Sequence, residues 1–185
     1  MNLLTMIDTG LVHTFPLWRT PFLVDLAIGI SELGRSYTIL GLAAIAILIF
    51  LLRRKFALTG GLLVSVLGTT AAVYIVKELV ARPRPDAWLA SYVEQSFSFP
   101  SGHAALSVAF YGFIAWVMAH QWPHRSRSIF IAAAILVTLI IFTRLYLGLH
   151  YLTDVAGGAA IGAIFLMLGI AAAKKLRDSF LKVSS

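Results

Sequence analysis

A chain of 185 residues that is 59% hydrophobic and 12% charged, with a mean hydropathy of +0.89, lies outside the composition of soluble globular proteins and belongs in a membrane. Its length leaves no room beside a membrane bundle for a separate soluble domain. The net charge of +7 comes from cations scattered through short loops rather than a continuous stripe, which argues against nucleic acid as a partner; with no cysteine, disulfides and thiolate chemistry are excluded.

The chain opens with MNLLTMIDTGLVHTF, which lacks the basic leader and small-residue cleavage site of a signal peptide. Residues 1–19 are therefore expected to form an amphipathic surface segment kept in the mature protein. Segment 20–34 carries Asp25 and Glu32 and reads either as a short crossing packed against other helices or as an interfacial helix. Uncharged apolar runs follow at 36–52, 58–76, 104–119, 128–143 and 155–173, each close to the ~20 residues needed to cross a ~30 Å hydrocarbon layer. Backbone groups cannot stay unpaired in lipid. The expected fold is thus all-α, a polytopic membrane bundle of about six transmembrane helices forming one domain over 1–185. Gly158 and Gly162 make a GxxxG in the last run, read as a close helix-packing surface.

Arg53, Arg54 and Lys55, then Arg125 and Arg127, then Lys174, Lys175, Arg177 and Lys182, follow alternate runs. The positive-inside rule assigns that side to the cytoplasm, and Arg19 joins it if segment 20–34 crosses. Arg35, Lys77, Arg82, Arg84 and Arg144 are left on the outer side against this tendency. An anionic ligand on the outer face accounts for them.

Most of these outer cations fall in KELVARPRP (77–85) and TRLYLGLH (143–150). In the first, Lys77 sits on the last turn of a helix, and two prolines stiffen an extended exit from which Arg84 projects. Taken alone, such cations are snorkelling residues at a headgroup boundary as readily as phosphate ligands. FPSGHAAL (99–106) places Ser101 as the N-cap of a helix starting near Gly102, so the Gly102 and His103 amides form an anion cradle at its positive end. TRLYLGLHYLTD (143–154) brings Arg144, His150 and Asp154. If His150 and Asp154 share a helix, their spacing puts them on one face, where the carboxylate fixes the imidazole tautomer and leaves its far nitrogen free. An ordinary polar pair has the same spacing. Together the stretches supply three cations, a helix N-terminus, a free histidine and a carboxylate-oriented histidine, which is equipment for attack on phosphorus.

Lys77, six residues, Arg84-Pro85; Pro100-Ser101-Gly102-His103; and Arg144, five residues, His150, three residues, Asp154 closely resemble the motifs of the type-2 phosphatidic acid phosphatase superfamily. That group includes membrane lipid phosphatases and, with the same anion pocket, vanadium haloperoxidases. The resemblance implies that Lys77, Arg84, Ser101, Gly102 and Arg144 bind phosphate. It further implies that His150 is the nucleophile forming a phosphohistidine, Asp154 its orienting partner and His103 the acid at the leaving oxygen. Thr143 stands where the family usually has Ser.

The implied activity is hydrolysis of a lipid phosphate or pyrophosphate at the extracytoplasmic face of the cell membrane. Phosphatidylglycerol phosphate, phosphatidic acid and undecaprenyl pyrophosphate are the candidate substrates, and no metal or other cofactor is expected. Phosphotransfer to a second lipid, or lipid or anion transport, are the alternative functions; the residues do not report an oligomeric state. Both site histidines are expected to titrate near neutrality. Arg82 and Asp86 are read as a pair across the outer loop, Trp88, Tyr92, Trp122 and Tyr146 as aromatic belt, and loop 81–100 as a lipid entry route.

Overall fold

The computed structural model describes residues 3–183, and they are arranged as helices joined by short connections, apart from one long non-helical stretch over 81–101. Helix α1 (Leu3–Thr14) runs into a 3-10 turn, Phe15–Trp18, and α2 (Pro21–Glu32) follows. Thr20 caps α2 by accepting the Leu23 N–H at 3.3 Å, with Pro21 at the first helical position where its missing N–H costs nothing. The remaining helices are α3 (Ser36–Leu52), α4 (Phe56–Val80), α5 (Gly102–Gln121), α6 (Ser126–Tyr146) and α7 (Leu152–Val183). Helices α4 to α7 are each long and apolar enough to cross a membrane, and α2 with α3, bent by 40° at residues 33–35, make a fifth when the pair is taken as one span.

Segment 20–34 contains α2, whose 12 residues are too few to cross a bilayer unaided, and it meets α3 at the bend. Arg19, just before it, donates to Tyr146 O at 2.8 Å and Leu89 O at 2.6 Å, which puts it at the same end as Arg144 and away from the Arg53–Lys55 cluster. Helix α1 lies at this end too, with Asp8 and Val12 buried. Large apolar side chains such as Leu48, Leu67, Ile135 and Met167 are half exposed or more on the outer surface of the bundle, as lipid contact requires.

Lipid does not drive apolar helices together, so close association depends on small residues. A Cβ on Gly158 would stand 2.3 Å from Ser101 O, and one on Gly162 would stand 2.3 Å from Ala105 O. The GxxxG is thus the seam along which α7 meets α5, and it sets the start of α7 against the start of α5. Phe110 and Phe113 of α5, Ile39 of α3 and Leu62 and Val66 of α4 fill the space between helices below that seam.

Candidate active site

The site is assembled where α4 and α6 end and α5 and α7 begin. Helix α6 closes with Leu149 N–H on Arg144 O (3.1 Å) and Gly148 N–H on Leu145 O (3.0 Å), the paired bonds of a Schellman turn. Gly148 takes φ 71°, and a Cβ there would meet Leu89 O at 2.3 Å, so only glycine fits. The reversal carries His150 back over Arg144, and both side chains are buried.

His150 lies in the connection before α7, and only Asp154 is helical. The two do not share a helix face, but the turn still brings His150 Nδ1 to 3.4 Å from Asp154 Oδ2, longer than a formed hydrogen bond. Asp154 is held by other donors: Oδ2 accepts the Tyr151 N–H at 2.9 Å and the Ser98 hydroxyl, and Oδ1 accepts Arg82 Nη1 at 2.7 Å. Arg82 also pairs with buried Asp8 at 2.9 Å, and its guanidinium lies 4.1 Å from the centre of the Tyr151 ring. The expected Arg82–Asp86 pair is not formed. A deeply buried carboxylate outcompetes a solvated one because the Coulomb term grows as water is excluded.

Arg84 donates through Nη1 to Leu149 O (2.8 Å) and approaches His150 Nε2 at 3.3 Å, while Nε holds Ser96 O at 2.7 Å. A guanidinium cannot accept, so Nε2 is the acceptor nitrogen and the imidazole proton belongs on Nδ1, toward Asp154. Arg144 donates through Nη1 to Ser31 Oγ and Tyr92 OH, both at 2.7 Å. Lys77 Nζ donates to Phe97 O. The carboxylate of Glu94 bridges the two arginines, 2.6 Å from Arg84 Nη2 and 2.5 Å from Arg144 Nη2. Burial opposes its ionisation, but the charges of Arg144 and Arg84 override that and hold the carboxyl at about 2.

Ser101 stands at the N-cap of α5, yet its hydroxyl does not cap; Oγ is buried and has no hydrogen-bond partner among the described residues. Gly102 and His103 follow on the first turn, and His103 is close enough to Arg144, Glu94 and His150 to feel their charges. Burial pushes the His150 imidazole down to about 4, more than its contact with Asp154 raises it, so this histidine does not titrate near neutrality.

The bundle therefore gathers Lys77, Arg84, Ser101, Gly102, His103, Arg144, His150 and Asp154 at one end. It adds Glu94, Arg82, Ser98, Ser31 and Tyr92, which the motifs do not contain. Tyr92 leaves the aromatic belt to bond Arg144, and Tyr146 packs in a buried cluster with Phe15, whereas Trp88 and Trp122 are exposed as expected. Arg82 was visible as a second arginine of KELVARPRP. Glu94 and Ser31 carry no local signal, since each is a lone residue brought in from another segment.

An all-helical membrane bundle with a cation-lined histidine pocket at one end defines the class, and the chain belongs to the PAP2 superfamily, whose family model matches residues 58–178. Phosphatidylglycerophosphatase B of Bacillus subtilis is 34% identical over 173 residues, covering 90% of this chain and 83% of that protein. A lipid A 1-phosphatase of Rhizobium johnstonii is 36% identical over 104 residues, 51% of this chain and 39% of that protein. The crystal structure of a transmembrane PAP2-type phosphatidylglycerolphosphate phosphatase from Bacillus subtilis superposes with a TM-score of 0.85 at 29% identity, covering 95% of this chain and 88% of that one. That of Aquifex aeolicus LpxE gives 0.69 at 25% identity, covering 92% and 99%.

Proposed function

We propose that this protein hydrolyses the terminal phosphate of a lipid phosphate through a phosphohistidine, with phosphatidylglycerol phosphate the first candidate substrate. The observation that carries the reading is the Glu94 carboxylate held between Arg84 and Arg144, with Arg84 also against His150 Nε2. An anion is held by the same Arg84 that approaches the unprotonated nitrogen of His150. The substrate phosphate takes the place of that carboxylate, its oxygens meeting Arg84, Arg144, Lys77, the Ser101 hydroxyl and the Gly102 amide.

His150 Nε2 attacks phosphorus and the bond to the lipid oxygen breaks. His103, protonated, gives its proton to that oxygen, and the lipid alcohol leaves. Positive charge on the phosphorylated imidazole is stabilised by Asp154, which Arg82, Ser98 and the Tyr151 amide hold in place. Water then attacks the phosphohistidine, His103 takes its proton, the N–P bond breaks, and inorganic phosphate is released with His150 restored. His150 is neutral at pH 7, because burial holds it near 4, and so offers its lone pair without prior deprotonation.

Loop cations Arg53, Arg54 and Lys55 against the motif end support a catalytic pocket on the extracytoplasmic face. The test is phosphate release from phosphatidylglycerol phosphate, phosphatidic acid, lysophosphatidic acid and a polyprenyl pyrophosphate, beside a His150→Ala control and phosphoenzyme trapping. Release with a trapped phosphoenzyme that His150→Ala lacks supports the reading; normal labelling of that variant refutes the nucleophile.

A further inference from the structure

A cavity lies at the end remote from His103 and His150, about 32 Å along α4 from Lys77 at the usual helical rise. It measures about 650 Å³, within the range of small-molecule pockets. Arg54 and Lys55 from the α3–α4 turn and Lys174 and Arg177 from α7 surround it, and Trp116 and His120 of α5, rings 4.7 Å apart, form a wall. Arg54, Lys55 and Lys174 have no carboxylate partner among the described residues, and Arg177 meets only exposed Asp178, at 3.6 Å.

The α3–α4 turn repeats the geometry that closes α6: Lys55 N–H bonds Phe50 O at 2.7 Å and Arg54 N–H bonds Leu51 O at 2.9 Å. At the corresponding place α6 has Gly148, the residue this left-handed position favours, whereas here Arg54 takes φ 54°. A backbone site suited to glycine thus carries a guanidinium at the mouth of the cavity. Leu52 and Phe56 beside it are more than half exposed, so the mouth adjoins an apolar surface.

We propose that this cavity binds an anionic phospholipid from the leaflet around that end, its headgroup phosphate among Arg54, Lys55, Lys174 and Arg177 and the start of an acyl chain against Trp116. Basic pockets between membrane helices recognise such headgroups, and each nearby cation contributes roughly a fivefold preference. A zwitterionic lipid would bring its ammonium against the same cations. A free anion would leave the Trp116 wall uncovered.

The test uses the chain with Trp116 as its only tryptophan (Trp18→Phe, Trp88→Phe, Trp122→Phe) in phosphatidylcholine nanodiscs. Dibrominated phosphatidylglycerol should half-quench Trp116 at a mole fraction at least about tenfold lower than dibrominated phosphatidylcholine, and Lys55→Gln with Lys174→Gln should shrink the difference at least about fivefold without changing the thermal unfolding midpoint. Millimolar inorganic phosphate should leave the preference intact. Equal quenching by the two lipids, a preference undiminished by the double substitution, or displacement by phosphate would each overturn the assignment. If the tryptophan variant does not fold, native mass spectrometry of the otherwise unmodified chain decides. The parent should retain phosphatidylglycerol that the double lysine variant loses, and identical retention overturns the site.

Discussion

The two ends of the bundle hold the same residue types in opposite states: Arg84 and Arg144 are turned inward and bridged by Glu94, whereas Arg54, Lys55 and Lys174 stand exposed without a carboxylate among the described residues. A buried guanidinium without a counter-charge would cost several kcal/mol, so the inward arginines need an anion within reach. The exposed ones keep their water and need none. The contrast teaches that orientation bias and chemistry can be read from one charge list. Arg54, Lys55 and Lys174 remain solvated, whereas Arg84 and Arg144 are enclosed around the Glu94 carboxylate.

Substitutions at the two ends should separate them by orders of magnitude. His150→Ala should lower phosphate release at least about a thousandfold and abolish the phosphoenzyme, as loss of a nucleophile does. Phosphate release within tenfold of the parent would move the chemistry elsewhere.

Acid should weaken the catalytic end specifically. The folded value of His150, about 4, lies below the ordinary 6.5, so the unfolded chain takes up a proton that the folded chain refuses. Stability is full above pH 6.5 and falls as pH drops toward 4, by a few kcal/mol in all. Unfolding midpoints in detergent between pH 7 and 4.5 should therefore decline for the parent and decline less for His150→Gln; parallel curves would remove the claim.

Arg144→Lys should cost about a hundredfold in kcat/KM, because one ammonium cannot reproduce a fork that meets Ser31, Tyr92 and an anion together. Glu94→Gln should work in the other direction. With the bridging charge gone, inhibition by inorganic phosphate should strengthen about tenfold, and weaker inhibition would mean that Glu94 organises the arginines more than it competes for them. The smallest effect belongs to the far end: Lys55→Gln with Lys174→Gln should leave phosphate release within about twofold, since ~30 Å exceeds several Debye lengths. A tenfold loss would show that the ends are not independent.

Much of the site was legible because its motif residues sit at helix ends next to breaks that the chain itself announces. Pro83 and Pro85 end α4, Pro100-Ser101 opens α5, and Gly148 reverses α6. The apolar runs were equally plain, since a ~30 Å layer demands a run length that few other structures need. Less legible was how segment 20–34 enters the bilayer, because a charge-bearing stretch of that length suits a crossing, a surface helix or half of a bent span alike. The His150–Asp154 pairing was read from helical periodicity, and proximity came instead from a turn outside the helix.

Local order along the chain was enough to establish a helical membrane bundle and to single out the short stretches that meet at one end of it, because these depend on hydrophobic length and on chemistry within a few residues. Folding alone decided that Glu94 lies between two arginines, that Arg82 supports Asp154 rather than Asp86, and that His150 is kept neutral. Each of those depends on segments distant in sequence meeting where water is excluded, and there the strength of a charge pair is set by burial and geometry rather than by spacing along the chain.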